Sequence, residues 1–167
     1  KNFPSFKINL LCANSNTSLL YKQIKLFNPK YVYLNDDSKI LNFRSKLNSK
    51  TKILAKKELS DYLRSSKSNY TILAISGYKS LYFLDDIIKN TDNLGIVSKE
   101  AIVSAGHLFN KNKYFKKTNI FPLDSEHFSL YDYFNNTNNK RKLKNIIITA
   151  SGGPFYKKNY NSLKKVK

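Results

Sequence analysis

The chain has 167 residues, of which 41% are hydrophobic, and it carries a formal net charge of +19. This length fits one ordinary domain, or one domain and part of another, and the hydrophobic share excludes a disordered tail. No run of 18 or more apolar residues occurs, which excludes a membrane-spanning helix. The single cysteine, Cys12, excludes an internal disulfide and a multi-cysteine zinc site and is typical of a reducing compartment.

Short β-rich runs alternate with amphipathic helical stretches along the chain. Strands are predicted at residues 6–12, 31–34, 53–55, 70–75, 94–97, 119–123 and 145–150. Helices are predicted at residues 18–27, 37–47, 58–64, 81–88 and 100–109, and a polar, basic loop at 135–144. This alternation predicts βαβ units and a mostly parallel sheet, and the nearly continuous apolar strands predict helices on both of its faces.

The positive charge admits two interpretations. The lysines are spread along the whole chain, with the densest stretches at residues 140–144 and 157–167. A scattered charge favours a solvated surface, and a basic α/β module that binds nucleic acid is the alternative function. A positive field also attracts anionic phosphorylated ligands.

Polar and glycine residues follow the ends of several predicted strands. They are ANSN at 13–16, SG at 76–77, SKE at 98–100, DSEH at 124–127 and SGG at 151–153. Ligands of open α/β sheets bind outside the carboxyl ends of the strands. These segments therefore predict a rim that suits phosphate groups and metal ions.

The sharpest pair on this rim is Asp124 and Glu126. In an extended chain, residues two apart point to the same side, so both carboxylates could hold one hard cation such as Mg²⁺ or Mn²⁺. The alternative is that Asp124 caps the following helix, and spacing alone favours this cap. His127 could orient the pair, whereas His107, within a predicted helix, is assigned a structural role.

The other rim residues also have alternatives. Residues 151–153 could cradle a phosphate or form a tight turn, and the turn is favoured on this pattern alone. Lys99 could meet an anion at a helix start or be solvated. Residues 14–16 could contact a nucleotide or form a plain turn that ends in a helix cap.

Four segments together resemble one family in order and spacing. They are VSKEAIVSAG at 97–106, FPLDSEH at 121–127, ITASGGPF at 148–155 and FNPKYV at 27–32. They resemble, in that order, the family patterns A-N-K-E-S-[LI]-V-x-[AC]-G, P-V-D-S-E-H, L-T-A-S-G-G-P-F and F-x-P-[KR]-Y-V. The family is 1-deoxy-D-xylulose 5-phosphate reductoisomerase, and the resemblance covers essentially the whole chain.

The resemblance implies a catalytic set of Lys99, Asp124 and Glu126. Asp124 and Glu126 resemble two of three carboxylate ligands of a divalent metal, which would be Mg²⁺ or Mn²⁺, with Co²⁺ as a third option. Lys99, Ser125 and Ser151 resemble residues that contact the substrate.

The resemblance also implies NADPH as cofactor. The positions that resemble its contacts are Ala13, Asn14, Ser15 and Asn16 at the adenosine end, together with Ser98 and Glu100. Two positions depart from the family pattern: Ser98 stands where the family usually has Asn, and Ser15 stands where many members have Lys.

The implied fold is a Rossmann-like α/β NADPH-binding domain over 1–112, followed by the start of an α+β catalytic and metal-binding domain over 113–167. The implied reaction rearranges 1-deoxy-D-xylulose 5-phosphate and reduces it to 2-C-methyl-D-erythritol 4-phosphate, in the non-mevalonate isoprenoid pathway. The resemblance further implies a phosphorylated sugar substrate, a homodimer, no membrane, and a location in a bacterial cytoplasm or plastid-type organelle.

The resemblance also predicts that the chain begins after the family's glycine-rich pyrophosphate turn and stops before the third metal carboxylate. The chain would then be a fragment that is inactive alone.

Overall fold

The computed structural model describes residues 6–47, 50–109, 117–136, 143–147 and 157–164. The chain forms two compact units, Lys1–Ile120 and Phe121–Lys167. The predicted domain boundary at 112–113 lies outside the described residues, so the assignment of functions to two domains stays a prediction.

The strands of the described residues belong to two sheets of three strands each. One has the order β1-β2-β3, with β1 at Leu10–Ala13, β2 at Tyr31–Leu34 and β3 at Lys52–Ile53, and all its pairings are parallel. The other has the order β4-β5-β6, with β4 at Ser68–Leu73, β5 at Thr91–Ile96 and β6 at Asn119–Pro122. The pairing of β4 with β5 is parallel. The predicted α/β class with parallel strands is therefore confirmed, although the strands form two sheets.

Helices follow the strands, as the sequence predicts. They are α1 at Thr17–Phe27, α2 at Ile40–Arg44, α3 at Lys56–Ser65, α4 at Leu81–Lys89, α5 at Lys99–Phe109, α6 at Ser125–Asn136 and α7 at Tyr160–Leu163. Short 3-10 turns at Asp37–Lys39 and Tyr78–Ser80 precede α2 and α4. None of the helices seen in the described ranges is both long enough and apolar enough to cross a membrane.

Local sequence signals set both ends of α1. The side chain of Asn16 caps its start, because Oδ1 accepts the N–H of Leu19 at 3.0 Å. Asn28 ends it in the left-handed conformation at φ 47°, and its N–H donates to the carbonyl of Ile24 at 2.8 Å. Pro29 follows and cannot continue the helix. The Asn16 cap fixes the turn that enters α1, and this turn is a candidate binding segment.

Both faces of the first sheet are covered. Val32 and Leu34 pack on one face with Phe43 and with residues of α1, while Tyr33 packs on the other face with Leu59. Alternate residues of a strand point to opposite faces, so β2 is buried on both sides. The predicted helices on both faces are confirmed for this sheet.

The second sheet has its core on one face. Leu73, Leu94 and Ile96 pack there with α4 and α5. The alternate residues Tyr70 and Ile72 are 54% and 55% exposed. Within the described part of the chain, this face of β4 is therefore only partly covered, because an apolar run in a strand does not by itself supply a second layer.

Leu94→Ala should lower the free energy of unfolding by about 2–5 kcal/mol, because Leu94 is fully buried and truncation leaves a cavity. Urea unfolding followed by circular dichroism measures this change. Val103→Ala is the matched control, since Val103 on α5 is 81% exposed and its truncation should change stability by about 0.5 kcal/mol or less. Equal stabilities of the two variants would contradict the assigned core.

The last predicted strand is not present where it can be seen. Residues 143–147 have no regular structure, and residues 148–150 lie outside the described ranges. Ile147 is 88% exposed, so its side chain is not part of a core. Two smaller differences accompany it: α6 extends to Asn136, into the predicted loop, and α7 was not predicted.

Candidate functional site

The β1–α1 turn, residues 13–16, is joined to the turn that follows β2. The N–H groups of Asn35 and Asp36 donate to the carbonyls of Ala13 at 3.0 Å and Asn14 at 2.9 Å. The Asn35 amide also donates to Oδ1 of Asn14 at 2.9 Å. These bonds continue the parallel ladder past the strand ends, so this candidate cofactor segment is preorganised. Asn16 serves as a helix cap here, as its alternative interpretation had it, and its contact with a cofactor stays a prediction.

A lysine that sequence reasoning missed reaches the same turn. The ammonium of Lys39 donates to the carbonyl of Ser15 at 3.2 Å and lies 3.4 Å from a carboxylate oxygen of Asp36. The Ser38 hydroxyl donates to the other oxygen at 2.6 Å. This hydroxyl, followed by Lys39, holds the pKa of Asp36 below its ordinary value. Asp36 therefore stays ionised at neutral pH, and the Lys39 ammonium contacts the candidate turn.

A second cluster joins the loop after β4 to the start of α5. The Ser80 side chain is fully buried, and its hydroxyl lies 2.9 Å from the Gly77 carbonyl and 3.3 Å from the Ser98 hydroxyl. Ser98 in turn donates to Oε2 of Glu100 at 2.8 Å. Gly77 permits this arrangement because its φ of 71° is a conformation that other residues rarely adopt.

Glu100 is the charged member of this cluster. The backbone N–H of Glu100 itself, the Ser98 hydroxyl and the N–H of Gly77 all lower the pKa of its carboxyl, in that order of effect. Glu100 also lies in the first turn of α5, where the helix dipole favours a negative charge. The predicted cofactor residues Ser98 and Glu100 are thus joined in one hydrogen-bond network, with the candidate Lys99 between them.

Ser80→Ala should lower the free energy of unfolding by about 1–2 kcal/mol, because it removes a buried hydroxyl whose partners Gly77 and Ser98 stay behind. Chemical denaturation of both proteins measures the difference. Ser65→Ala is the control: the Ser65 hydroxyl also donates to a carbonyl, at 2.7 Å, but it is exposed. A loss for Ser80→Ala no larger than that for Ser65→Ala would contradict the network's structural role.

The predicted metal pair lies in the second unit, at the start of α6. Asp124 caps this helix: its Oδ1 accepts the N–H of His127 at 3.0 Å, and Nδ1 of the His127 ring lies 2.7 Å from the same oxygen. Glu126 is in the first helical turn and accepts the Ser125 hydroxyl at 2.9 Å. The extended-chain argument for the pair is therefore wrong, and the cap that spacing favoured is confirmed. The predicted contact by which His127 orients Asp124 is present as well.

The donor chemistry of this helix start fits a hard divalent cation. Asp124 and Glu126 both offer carboxylate oxygens, which such cations prefer, and both contacts with His127 use the same oxygen of Asp124, Oδ1. Within the ranges that the structure describes, no group of three or more His, Cys, Asp or Glu could hold a metal. Asp124 and Glu126 are thus suited to form part of a ligand set.

The structure describes part of the rim that the sequence predicts. Asn14 and Lys99 each follow the carboxyl end of a parallel strand in the first unit, as predicted. Asp124 belongs to the second unit, and Ser151 lies outside the described residues. That all four line the same edge, with Lys99, Asp124 and Ser151 flanking one cleft and Asn14 further off, therefore stays a prediction.

Two family models match the chain in order. The model for 1-deoxy-D-xylulose 5-phosphate reductoisomerase matches residues 1–106, and the model for the C-terminal domain of the same enzyme matches residues 120–167. The first match alone covers more than half of the chain.

Curated relatives bear the same name. The chain is 39% identical over 154 residues to 1-deoxy-D-xylulose 5-phosphate reductoisomerase of Pelagibacter ubique, covering 90% of this chain and 39% of the relative. It is 35% identical over 161 residues to that of Caldanaerobacter subterraneus subsp. tengcongensis, covering 96% of this chain and 42% of the relative. The chain therefore spans about two fifths of the length of these relatives.

A solved structure shares the fold. The enzyme of Zymomonas mobilis, described as a complex with NADPH, superposes with a TM-score of 0.74 at 27% identity. The match covers 99% of this chain and 44% of that one.

Proposed function

The chain belongs to the 1-deoxy-D-xylulose 5-phosphate reductoisomerase family, and we propose on this ground that the complete protein catalyses the reaction for which the family is named. The reaction converts 1-deoxy-D-xylulose 5-phosphate to 2-C-methyl-D-erythritol 4-phosphate with NADPH and a divalent cation, Mg²⁺ or Mn²⁺, with Co²⁺ as a third option. The observation that carries the proposal is the match of both family models, in order, to nearly the whole chain.

The first unit is proposed to bind NADPH. Its β1–α1 turn would hold the adenosine end, and Ser98 and Glu100 would contact the cofactor beside Lys99. The preorganised turn, the hydrogen-bonded Ser98–Glu100 pair and the NADPH named for the Zymomonas mobilis structure support this assignment. Ligands in such folds bind at the carboxyl ends of strands, where these residues lie.

The second unit is proposed to begin the metal and substrate site. Asp124 and Glu126 would hold the cation, and His127 keeps the Asp124 carboxylate in one orientation. Ser125 and Ser151 would bind the substrate together with Lys99. Lys99 is the first residue of α5, where the helix dipole favours anions. When bound, NADPH supplies the hydride and the cation polarises the substrate oxygens.

Further properties follow as proposals from the family. The substrate is a phosphorylated sugar, and the enzyme is a homodimer. The relatives come from bacteria, which supports a bacterial cytoplasmic location. The nucleic-acid-binding alternative is not supported, because the matched models and relatives are reductoisomerases.

Steady-state oxidation of NADPH by the complete protein tests the proposal. We expect oxidation that requires both 1-deoxy-D-xylulose 5-phosphate and Mn²⁺ and that stops when the metal is chelated. Omission of the substrate is the control for background oxidation. No substrate-dependent oxidation by a folded, metal-loaded protein would contradict the proposed function.

A further inference from the structure

The structure places a cation beside the turn that is proposed to hold the adenosine end of the cofactor. Lys39 is in the turn Asp37–Lys39, and its ammonium donates to the carbonyl of Ser15 at 3.2 Å, 24 positions earlier in the sequence. Its backbone is anchored, because the next residue, Ile40, and the buried Phe43 pack into the core of the first sheet. The ammonium is thus delivered to residues 13–16 by a fixed part of the fold.

The β1–α1 turn itself carries no negative charge that would repel a phosphate on the cofactor. NADPH differs from NADH by a phosphate on the 2′-oxygen of its adenosine ribose. Enzymes of this fold that use NAD commonly bind the 2′-hydroxyl with an acidic residue, and residues 13–16 contain none. Such a carboxylate would repel the 2′-phosphate.

Asp36 is the carboxylate paired with Lys39, and its negative charge opposes the binding of an anion there. Its two oxygens are engaged by Ser38 and Lys39. The pair is solvent-exposed, with side-chain exposures of 47% for Lys39 and 29% for Asp36, and exposed ion pairs contribute little. Lys39 can therefore turn from this single charge to a phosphate dianion, with which it makes a stronger charge-assisted hydrogen bond.

We propose that Lys39 recognises the 2′-phosphate of NADPH and determines the preference for NADPH over NADH. The inference rests on the proposed function, since it requires the β1–α1 turn to bind the adenosine end. Lys39 would then supply a positive charge at a turn where this chain has Ser15 and many family members have a lysine.

The test compares two nucleotides that differ only in the 2′-phosphate, adenosine 2′,5′-bisphosphate and adenosine 5′-monophosphate. Isothermal titration calorimetry on the complete protein gives the ratio of their affinities. Lys39→Met should reduce the preference for the bisphosphate by about tenfold or more, the effect of one hydrogen bond between charged groups. Asp36→Asn should raise the preference, because it removes the competing charge.

Lys52→Met is the matched control. It also removes one positive charge and one exposed ion pair, with Glu58 at 2.7 Å, but Lys52 starts β3 at the amino edge of the same sheet. The ratio of the two nucleotide affinities should stay within about twofold of that of the unmodified protein, since a distant, exposed ion pair contributes little to binding at the turn.

The outcomes separate the two proposals. Unchanged ratios for Lys39→Met, with both nucleotides still bound, would overturn the role of Lys39 and leave the proposed function intact. An equal loss in Lys39→Met and Lys52→Met would also overturn it, because the effect would be one of net charge. If the unmodified protein bound neither nucleotide nor NADPH, the proposed cofactor site would fail, and the role of Lys39 with it.

Discussion

Asp124→Asn should lower turnover by about a thousandfold, because a carboxylate ligand that is lost from a catalytic metal removes several kcal/mol of transition-state stabilisation. The fold should persist, since Asn is as good a helix cap as Asp and can still accept the N–H of His127. Turnover is measured as NADPH oxidation at saturating substrate over a range of Mn²⁺ concentrations, with thermal unfolding to check the fold.

Asp132→Asn is the matched control for this variant. Asp132 lies on the same helix and is exposed, so the same substitution there should leave turnover within about twofold. If Asp124→Asn kept a turnover close to that of the unmodified protein at saturating metal, Asp124 would act only as a helix cap. That result would remove the metal assignment.

Lys99→Met should lower kcat/KM for the sugar phosphate by about a hundredfold, the upper range for a hydrogen bond to a charged partner. The methionine keeps most of the side-chain volume and the helix propensity of the first residue of α5. NADPH affinity, measured by fluorescence titration, should change much less, because Lys99 is proposed to contact the substrate.

Lys67→Met supplies the comparison. Lys67 directly precedes β4, at the amino edge of the second sheet, so its loss removes the same charge far from the strand ends that bind ligands. We expect its kcat/KM to stay within about twofold. Equal losses in both variants would show that net charge, and not a contact made by Lys99, attracts the anionic substrate.

Local sequence signals predicted most of the elements of the first unit. The apolar spacing from Leu19 to Phe27 and the following Pro29 predicted α1 to within one residue of its observed bounds, and the run YVYL predicted β2 in full. These elements have caps, breakers and core residues close together in sequence. Leu20 on α1 and Val32 on β2 are both buried.

Contacts between distant residues could not be predicted in the same way. The Lys39–Ser15 bond and the Ser80–Ser98 pair join residues 24 and 18 positions apart. They form only because parallel strands bring successive turns to one edge, and no local pattern marks the particular side chains that meet there. An Asp-x-x-Lys spacing at Asp36 was the one available signal for Lys39.

At the start of α6, the geometry assumed for the metal pair is wrong, and the metal assignment itself stays a prediction. Asp124 and Glu126 were paired on the assumption of an extended chain, but the helix begins at Ser125. The capping role of Asp124 and the metal role are compatible, because the cap uses one oxygen of the carboxylate. The resemblance to the family, and not the spacing, carries the metal assignment.

We propose that the complete protein both rearranges and reduces its substrate. The direct measurement uses NADPH with both hydrogens at C4 of the nicotinamide replaced by deuterium, with 1-deoxy-D-xylulose 5-phosphate and Mn²⁺, and identifies the product by mass spectrometry and NMR. We expect the product 2-C-methyl-D-erythritol 4-phosphate with one deuterium on C1, because the hydride is added to the aldehyde carbon that the rearrangement creates. A deuterated product with an unbranched carbon skeleton, or no deuterated product at all, would contradict it.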